Sequence, residues 1–63
     1  MARILLIEDD PLQRTEYARY LASNDGGAHE IHEARSATEA IRLISAISFD
    51  LILLERVLKL HKR

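Results

Sequence analysis

The sequence has 63 residues, of which 48% are hydrophobic and 30% charged, and its net charge is -1. This length allows one small domain, which buries only about 60% of the surface that the unfolded chain exposes. The composition is that of a globular protein and excludes an intrinsically disordered chain. Cysteine is absent, which excludes disulfides. The net charge gives no general attraction to nucleic acids, so we expect no nucleic-acid partner.

The apolar runs of the sequence are too short to cross a bilayer. The run near the N-terminus continues directly into acidic residues, unlike the apolar region of a secretory signal peptide. We therefore expect a cytoplasmic protein with no membrane partner.

The first predicted elements are a strand and a helix. Residues 2–7 are apolar apart from Arg3, as in a strand that is buried on both faces of a parallel sheet. Asp10 and Pro11 then predict a helix over Pro11–Ser23, because aspartate caps free amides and proline is tolerated at the first helical position. The expected apolar face of this helix is Leu12, Ala18, Leu21 and Ala22, with Tyr17 at its margin.

The middle of the chain predicts a second strand and a second helix. Residues 29–34 are mainly polar, so a strand here belongs at the edge of a sheet. Ser36 and Glu39 form a capping-box pattern, and apolar residues recur after them at helical spacing, which predicts a helix that ends near Ile47. Leu51–Leu54 then predicts another fully buried strand.

The end of the chain allows a second interpretation. Leu51, Leu54 and Leu58 also lie at helical spacing, so part or all of residues 51–62 could be helical. Residues 56–63 carry four basic side chains without interleaved aromatic residues. This pattern is more typical of a solvated basic tail than of a phosphate-binding segment.

The predicted order of elements is β-α-β-α-β, which indicates an α/β fold with a three-stranded parallel sheet and two crossover helices. Glu8 and Asp9 follow the first strand, and Glu55 follows the third. If those strands are neighbours, their carboxyl ends lie side by side and the three carboxylates converge. Carboxylate oxygens are ligands that Mg²⁺ prefers, so this edge is a candidate cation site.

Several of these features together resemble the first half of a receiver domain from a bacterial two-component response regulator. They are the strand followed by acids, the helix start at Asp10 and Pro11, the stretch Glu-Ala-Arg-Ser-Ala-Thr-Glu-Ala at residues 33–40, and Phe-Asp-Leu-Ile-Leu-Leu at residues 49–54. The resemblance covers residues 2–55. It implies a flavodoxin-like parallel sheet with strand order 2-1-3-4-5, of which this chain supplies strands 2-1-3.

The resemblance also implies roles for the acids. In the family, an acidic pair binds Mg²⁺, which supports phosphoryl transfer from a histidine kinase to an aspartate that ends the third strand. By position, Glu8 and Asp9 match the acidic pair, with Asp9 as the expected direct ligand, and Asp10 is the helix cap. The phosphoacceptor position falls on Glu55. Because glutamate replaces the aspartate, and the family's later hydroxyl and lysine residues lie beyond the end of the chain, we expect no phosphate acceptance. We also expect no enzyme activity, because the sequence shows no nucleophile with a base, no glycine-rich phosphate loop and no oxyanion motif.

Three hypotheses remain open. The first is a receiver-like signalling module over residues 1–55 with a weak Mg²⁺ site at Glu8 and Asp9, followed by a basic tail over residues 56–63. The second is a non-catalytic module that associates with itself. A two-fold dimer with strand order 2-1-3-3-1-2 would cover the apolar edge of the third strand and complete the half of a flavodoxin-like fold. The third is a truncated or engineered half-fold.

Overall fold

The computed structural model describes residues 1–23 and 29–54, which form a three-stranded parallel sheet with two helices. The elements are β1 (Arg3–Ile7), α1 (Pro11–Ser23), β2 (Glu30–Ala34), α2 (Ala37–Ala46) and β3 (Leu51–Leu54). The strand order is β2-β1-β3, and both strand pairs are parallel. The predicted α/β class, element order and strand order are confirmed. Glu55 and the predicted tail over residues 56–63 lie outside the described residues.

The two helices lie on opposite faces of the sheet. From β1 the chain crosses to β2 on one side and then to β3 on the other, so crossovers of the same hand require opposite faces. Side chains of β1 alternate accordingly. Leu5 and Ile7 pack with Ala40 of α2, whereas Ile4 and Leu6 point to the face of α1.

The core is small and centred on β1. Leu5 and Leu6 are fully buried, one on each face of the sheet. On the α2 face, Leu5 clusters with the buried Ala34 and Ala40, and partly buried apolar side chains surround this cluster. The prediction that the first strand is buried on both faces is confirmed, and most of the stabilising burial depends on this one strand.

Helix α1 begins as predicted but covers only part of its predicted apolar face, namely Tyr17, Ala18 and Leu21, which are half-buried. The Asp10 carboxylate accepts a hydrogen bond from the Leu12 amide at 3.0 Å, which confirms Asp10 as the helix cap. Leu12 is 78% exposed, however, and Ala22 is also exposed, so the predicted apolar face is partly wrong. Leu12 precedes the half-buried Leu21 by two and a half helical turns and therefore lies on the opposite side of the helix.

Helix α2 has the predicted N-cap at Ser36, whose hydroxyl accepts a hydrogen bond from the Glu39 amide at 3.1 Å. The second bond of the predicted capping box is shifted by one residue, because the Glu39 carboxylate accepts from the amide of Arg35 at 2.8 Å and not from that of Ser36. The helix ends at Ala46, and the Ile47 amide closes the last turn. Among the described residues, no helix is long and apolar enough to cross a membrane.

Strand β3 is anchored at its start and exposed along its length. The Arg3 amide donates to the Asp50 carboxylate at 2.7 Å, and the Asp50 amide donates to the Arg3 carbonyl at 2.8 Å. Leu51–Leu54 is therefore a strand and not part of a helix. The prediction that it is fully buried is wrong, because Ile52 is 46% and Leu54 63% exposed. Within the described residues, no element covers the outer side of β3.

Candidate functional site

The candidate site lies at the carboxyl edge of the sheet. Ile7 and Leu54 are register partners, so the residues that follow β1 and β3 leave the sheet at the same place. A cavity of about 100 Å³ lies there, and its lining includes Glu8, Asp9 and the end of β3 at Leu54. Glu55 is the next residue in the chain, and its side chain lies outside the described part. The structure thus brings two of the three predicted acids to one cavity.

Glu8 is buried, with 5% of its surface exposed. Its carboxylate accepts a hydrogen bond from the Asp10 amide at 2.9 Å. Its own amide donates to the Ala34 carbonyl at 3.0 Å, and its carbonyl accepts from the Arg14 guanidinium at 3.0 Å. These three bonds fix Glu8 between β1, β2 and α1, so its carboxylate is positioned before any ligand arrives.

Arg14 takes a place in this arrangement that the sequence did not indicate. Its side chain is only 19% exposed although arginine carries a charge. Besides contacting the Glu8 carbonyl, it forms an ion pair with Glu33 of β2, with 3.3 Å between Nε and Oε1. Arg14 lies one turn after the Asp10 cap, on the sheet-facing side of α1. It therefore holds the turn after β1 against β2.

Asp9 is exposed beside the buried Glu8. The two residues fit the requirements of a hydrated Mg²⁺ ion, which takes one or two carboxylates and keeps several waters. The hydrogen bond from Asp10 leaves the Glu8 carboxylate with further acceptor capacity, since an ionised carboxylate has about four lone-pair sites. In residues 1–23 and 29–54, no group of three or more histidine or acidic side chains is placed to hold a metal. The described ligand set is therefore a pair.

The start of α2 forms the opposite wall of the same cavity. Arg35 and Ser36 line it, and Ser36 caps the positive end of the helix dipole. The Arg35 side chain is 73% exposed, and its guanidinium pairs with Glu39 of the same helix, with 3.7 Å between Nε and Oε2. Sequence reasoning did not single out these residues as part of a site. A signal was available, because both follow β2 and the carboxyl ends of parallel strands share one edge. The cavity therefore lies between the two acids and the start of α2.

A second polar cluster lies away from this site, near the starts of β1 and β2. The Glu30 carboxylate contacts His32 Nε2 at 2.5 Å and Arg3 Nε at 3.2 Å. The hydrogen bond with His32, followed by the charge of Arg3, holds the pKa of the Glu30 carboxyl below its ordinary value, although partial burial opposes the shift. Because folding lowers this pKa, the stabilisation is present above the ordinary carboxyl pKa and is lost as the pH falls through the lowered value. The His32 ring also packs edge-on against Phe49.

A wider groove lies between α1 and β3. It has a volume of about 480 Å³ and is lined by Gln13, Glu16, Tyr17, Tyr20, Leu21 and Leu53. Its apolar side chains continue to the outer edge of β3, where Leu51 and Leu54 are about half exposed or more. This surface differs from the acidic cavity in chemistry, because it suits an apolar partner rather than an ion.

The chain has no match in three comparisons with known proteins: no protein-family model, no curated protein and no solved structure matches it. The resemblance to receiver domains therefore stays a prediction from residues and motifs.

Proposed function

We propose that the chain is a receiver-like module of two-component phosphorelay signalling, with half of a flavodoxin-like sheet, that binds Mg²⁺ weakly and does not itself accept phosphate. The observation that carries this proposal is that Glu8 and Asp9 line one cavity with Leu54, at the carboxyl edge where β1 meets β3. Ligands of α/β sheets usually bind outside the carboxyl ends of the strands. On this proposal the partner is a histidine kinase and the compartment is the cytoplasm.

Asp9 and Glu8 have different roles in the proposed Mg²⁺ site. Asp9, which is exposed, serves as the direct ligand. The Glu8 carboxylate, which is held by the Asp10 amide, is the second acidic group of the site. A bound Mg²⁺ ion supplies positive charge that neutralises phosphoryl oxygens. Arg35 also lines the cavity, but its guanidinium is paired with Glu39, with 3.7 Å between Nε and Oε2.

Glu55 follows Leu54 and occupies the phosphoacceptor position of the resemblance. Its carboxylate is one methylene longer than that of aspartate, so it carries a permanent negative charge farther from the strand end. We propose that this charge stands in part for a phosphorylated aspartate and keeps the module in one signalling state. The proposed role of the module is therefore to bind a partner in one signalling state that does not change with phosphorylation.

The Mg²⁺ site is tested by titration of the 63-residue chain, followed by amide chemical shifts. We expect the amides of Glu8 and Asp9 to shift at millimolar Mg²⁺, and we expect Asp9→Asn to weaken this response about tenfold or more, because it removes one charged ligand. Glu16→Gln removes an equal charge from an exposed position on α1 and is the matched control. Unchanged Glu8 and Asp9 amides at millimolar ion would contradict the proposal.

A second candidate function is self-association, and the exposed outer edge of β3 favours it. Leu51, Ile52 and Leu54 are apolar and between 46% and 63% exposed. An apolar edge strand without charge or proline is a template for pairing with another strand. We propose that a second copy of this chain covers it and forms a homodimer with strand order 2-1-3-3-1-2. The chain would then act as a non-catalytic interaction module, with or without bound Mg²⁺.

The homodimer is tested by molar mass in solution. Light scattering of the unmodified chain at micromolar concentration should give twice the chain mass of 7.2 kDa. The mass should fall towards that of one chain on dilution, as mass action requires. A folded species that stays at 7.2 kDa over the whole concentration range would exclude this candidate.

A further inference from the structure

The direction of the backbone groups in β1 determines which groups of β3 face outwards. The Glu30 amide donates to the Ala2 carbonyl at 2.8 Å, and the Glu8 amide donates to the Ala34 carbonyl at 3.0 Å. Even-numbered residues at both ends of β1 therefore direct their amides and carbonyls towards β2. Because these groups alternate along a strand, the odd-numbered residues of β1 direct theirs towards β3.

The register of β3 then assigns its own groups. Leu5 is the partner of Ile52. In a parallel pair, a residue bonds to the neighbours of its partner on either side, so Leu5 bonds to Leu51 and Leu53. Ile52 and Leu54 consequently direct their amides and carbonyls away from β1. No strand among the described residues lies on that side, so β3 presents two donors and two acceptors at alternate residues.

The side chains around these groups carry no charge. Leu51 and Leu53 lie on the α1 face, and Ile52 and Leu54 lie on the α2 face. On the α1 face, Leu53 lines the groove that includes Tyr17 and Tyr20. A partner strand that pairs with β3 would therefore contact apolar side chains on both faces of the sheet and could bond to the outward backbone groups of β3. A second copy of β3 has the same surface and is complementary to it.

We infer that two copies of the chain pair their β3 strands antiparallel about a two-fold axis that passes through Leu53. This inference rests on the proposed homodimer and specifies its register. We take the axis perpendicular to the sheet, so that each face of one copy continues into the same face of the other. Residues that lie opposite each other must then share a face. The axis therefore passes midway between one residue and the same residue of the partner. Centred on Leu53, the pairing places Ile52 opposite the partner's Leu54. Each such pair exchanges two hydrogen bonds, which satisfies all the outward groups of both residues.

The neighbouring register is less favourable. Centred on Ile52, it would place Leu54 opposite the partner's Asp50. The Asp50 amide already donates to the Arg3 carbonyl at 2.8 Å, so it is not free to donate to a second copy. That register would leave outward groups of Leu54 incompletely bonded, which is costly where apolar side chains exclude water.

The register through Leu53 also joins the two grooves beside α1. Leu53 and the partner's Leu53 form a non-hydrogen-bonded pair, with Cα atoms about 4.5 Å apart. Their side chains lie on the α1 face, at the edge of the groove lined by Tyr17 and Leu21. The partner therefore closes the open side of this groove, and the inferred dimer has one continuous apolar trough between its two α1 helices.

Single-cysteine variants test the register, and the sequence contains no other cysteine. Under mild oxidation, Leu53→Cys should form an intermolecular disulfide in most of the protein, because the paired Cα atoms lie within disulfide range. Ile52→Cys is the matched control on the adjacent residue. The two Cα atoms at position 52 would be roughly 8 Å apart across the diagonal, which is too far for a disulfide.

Hydrogen exchange of the unmodified chain provides a second test that does not depend on how the variants fold. The Ile52 and Leu54 amides should exchange roughly tenfold more slowly at dimeric than at monomeric concentration. The Leu53 amide, which bonds to β1, should change less.

The possible outcomes are distinct. A disulfide at position 52 and none at position 53 would overturn the register while leaving the homodimer intact. Exchange at Ile52 and Leu54 that is independent of concentration in a dimeric sample would overturn the pairing through β3. A monomeric mass for the unmodified chain would exclude the homodimer itself, and the inference with it.

Discussion

Replacing Leu5 with alanine should leave most of the chain unfolded at room temperature. Leu5 is fully buried, and it packs against Ala34 of β2 and Ala40 of α2 in the apolar cluster on that face of the sheet. Leu→Ala substitutions in cores cost about 2–5 kcal/mol. A single core in a domain of this length supplies rarely more than about 3–5 kcal/mol in total. The substitution therefore removes a free energy comparable to the whole stability of the fold.

The measurement is urea unfolding followed by circular dichroism, with Leu12→Ala as the control. Leu12 is 78% exposed, so the same change of side chain should alter the free energy of unfolding by less than about 0.5 kcal/mol. Both variants should be compared at equal protein concentration, since a homodimer would link stability to concentration. Similar unfolding midpoints for the two variants would contradict the assignment of the core to β1.

The order of elements could be predicted because each element carries a strong local signal. The apolar run before Glu8, the cap at Asp10 and the capping box of Ser36 and Glu39 all depend on residues a few positions apart. The N-cap hydrogen bonds at Asp10 and Ser36 are present in the structure. The parallel direction of the strands then follows from helices that connect successive strands. The strand order 2-1-3 was predicted only through the resemblance to receiver domains, because crossover helices fit the order 1-2-3 equally well.

The burial of α1 and β3 could not be predicted in the same way. Leu12 and Leu21 are both apolar, but only the sheet determines which side of α1 is covered, and Arg14 takes a sheet-facing position by bonding to the Glu8 carbonyl. The apolar run of β3 predicts burial on both faces, yet burial also needs an element beyond its outer edge. The residues of β3 alone do not show whether such an element is present.

The candidate site was predictable in its location and not in its detail. The convergence of residues after β1 and β3 follows from the parallel order, which brings Glu8 and Asp9 beside Leu54. The burial of Glu8 depends on a tight turn in which the Asp10 amide reaches back to its carboxylate. That turn is set jointly by the end of β1 and the start of α1. The sequence pattern therefore identifies the pair of acids and does not distinguish the buried member from the exposed one.

Replacing Leu54 with lysine should convert the proposed homodimer into folded monomers. Leu54 is 63% exposed in the single chain, so lysine costs the monomer little. In the dimer each Leu54 is covered by the partner, and burial of a leucine side chain contributes about 1.5–3 kcal/mol. Two copies are affected, and lysine on an edge strand also opposes strand pairing. The dissociation constant should therefore rise by at least about 30-fold, measured by light scattering across a dilution series.

Leu12→Lys is the control for this experiment, because it makes the same chemical change at an exposed leucine on α1, away from β3. It should leave the dissociation constant within about threefold of the original value, as expected for a surface substitution outside the interface. If both variants dissociate equally, general charge repulsion explains the effect and β3 is not the interface. If Leu54→Lys alone dissociates and keeps its circular dichroism spectrum, the chain folds without its partner. Association then serves to cover the edge of β3 and is not needed to complete the core.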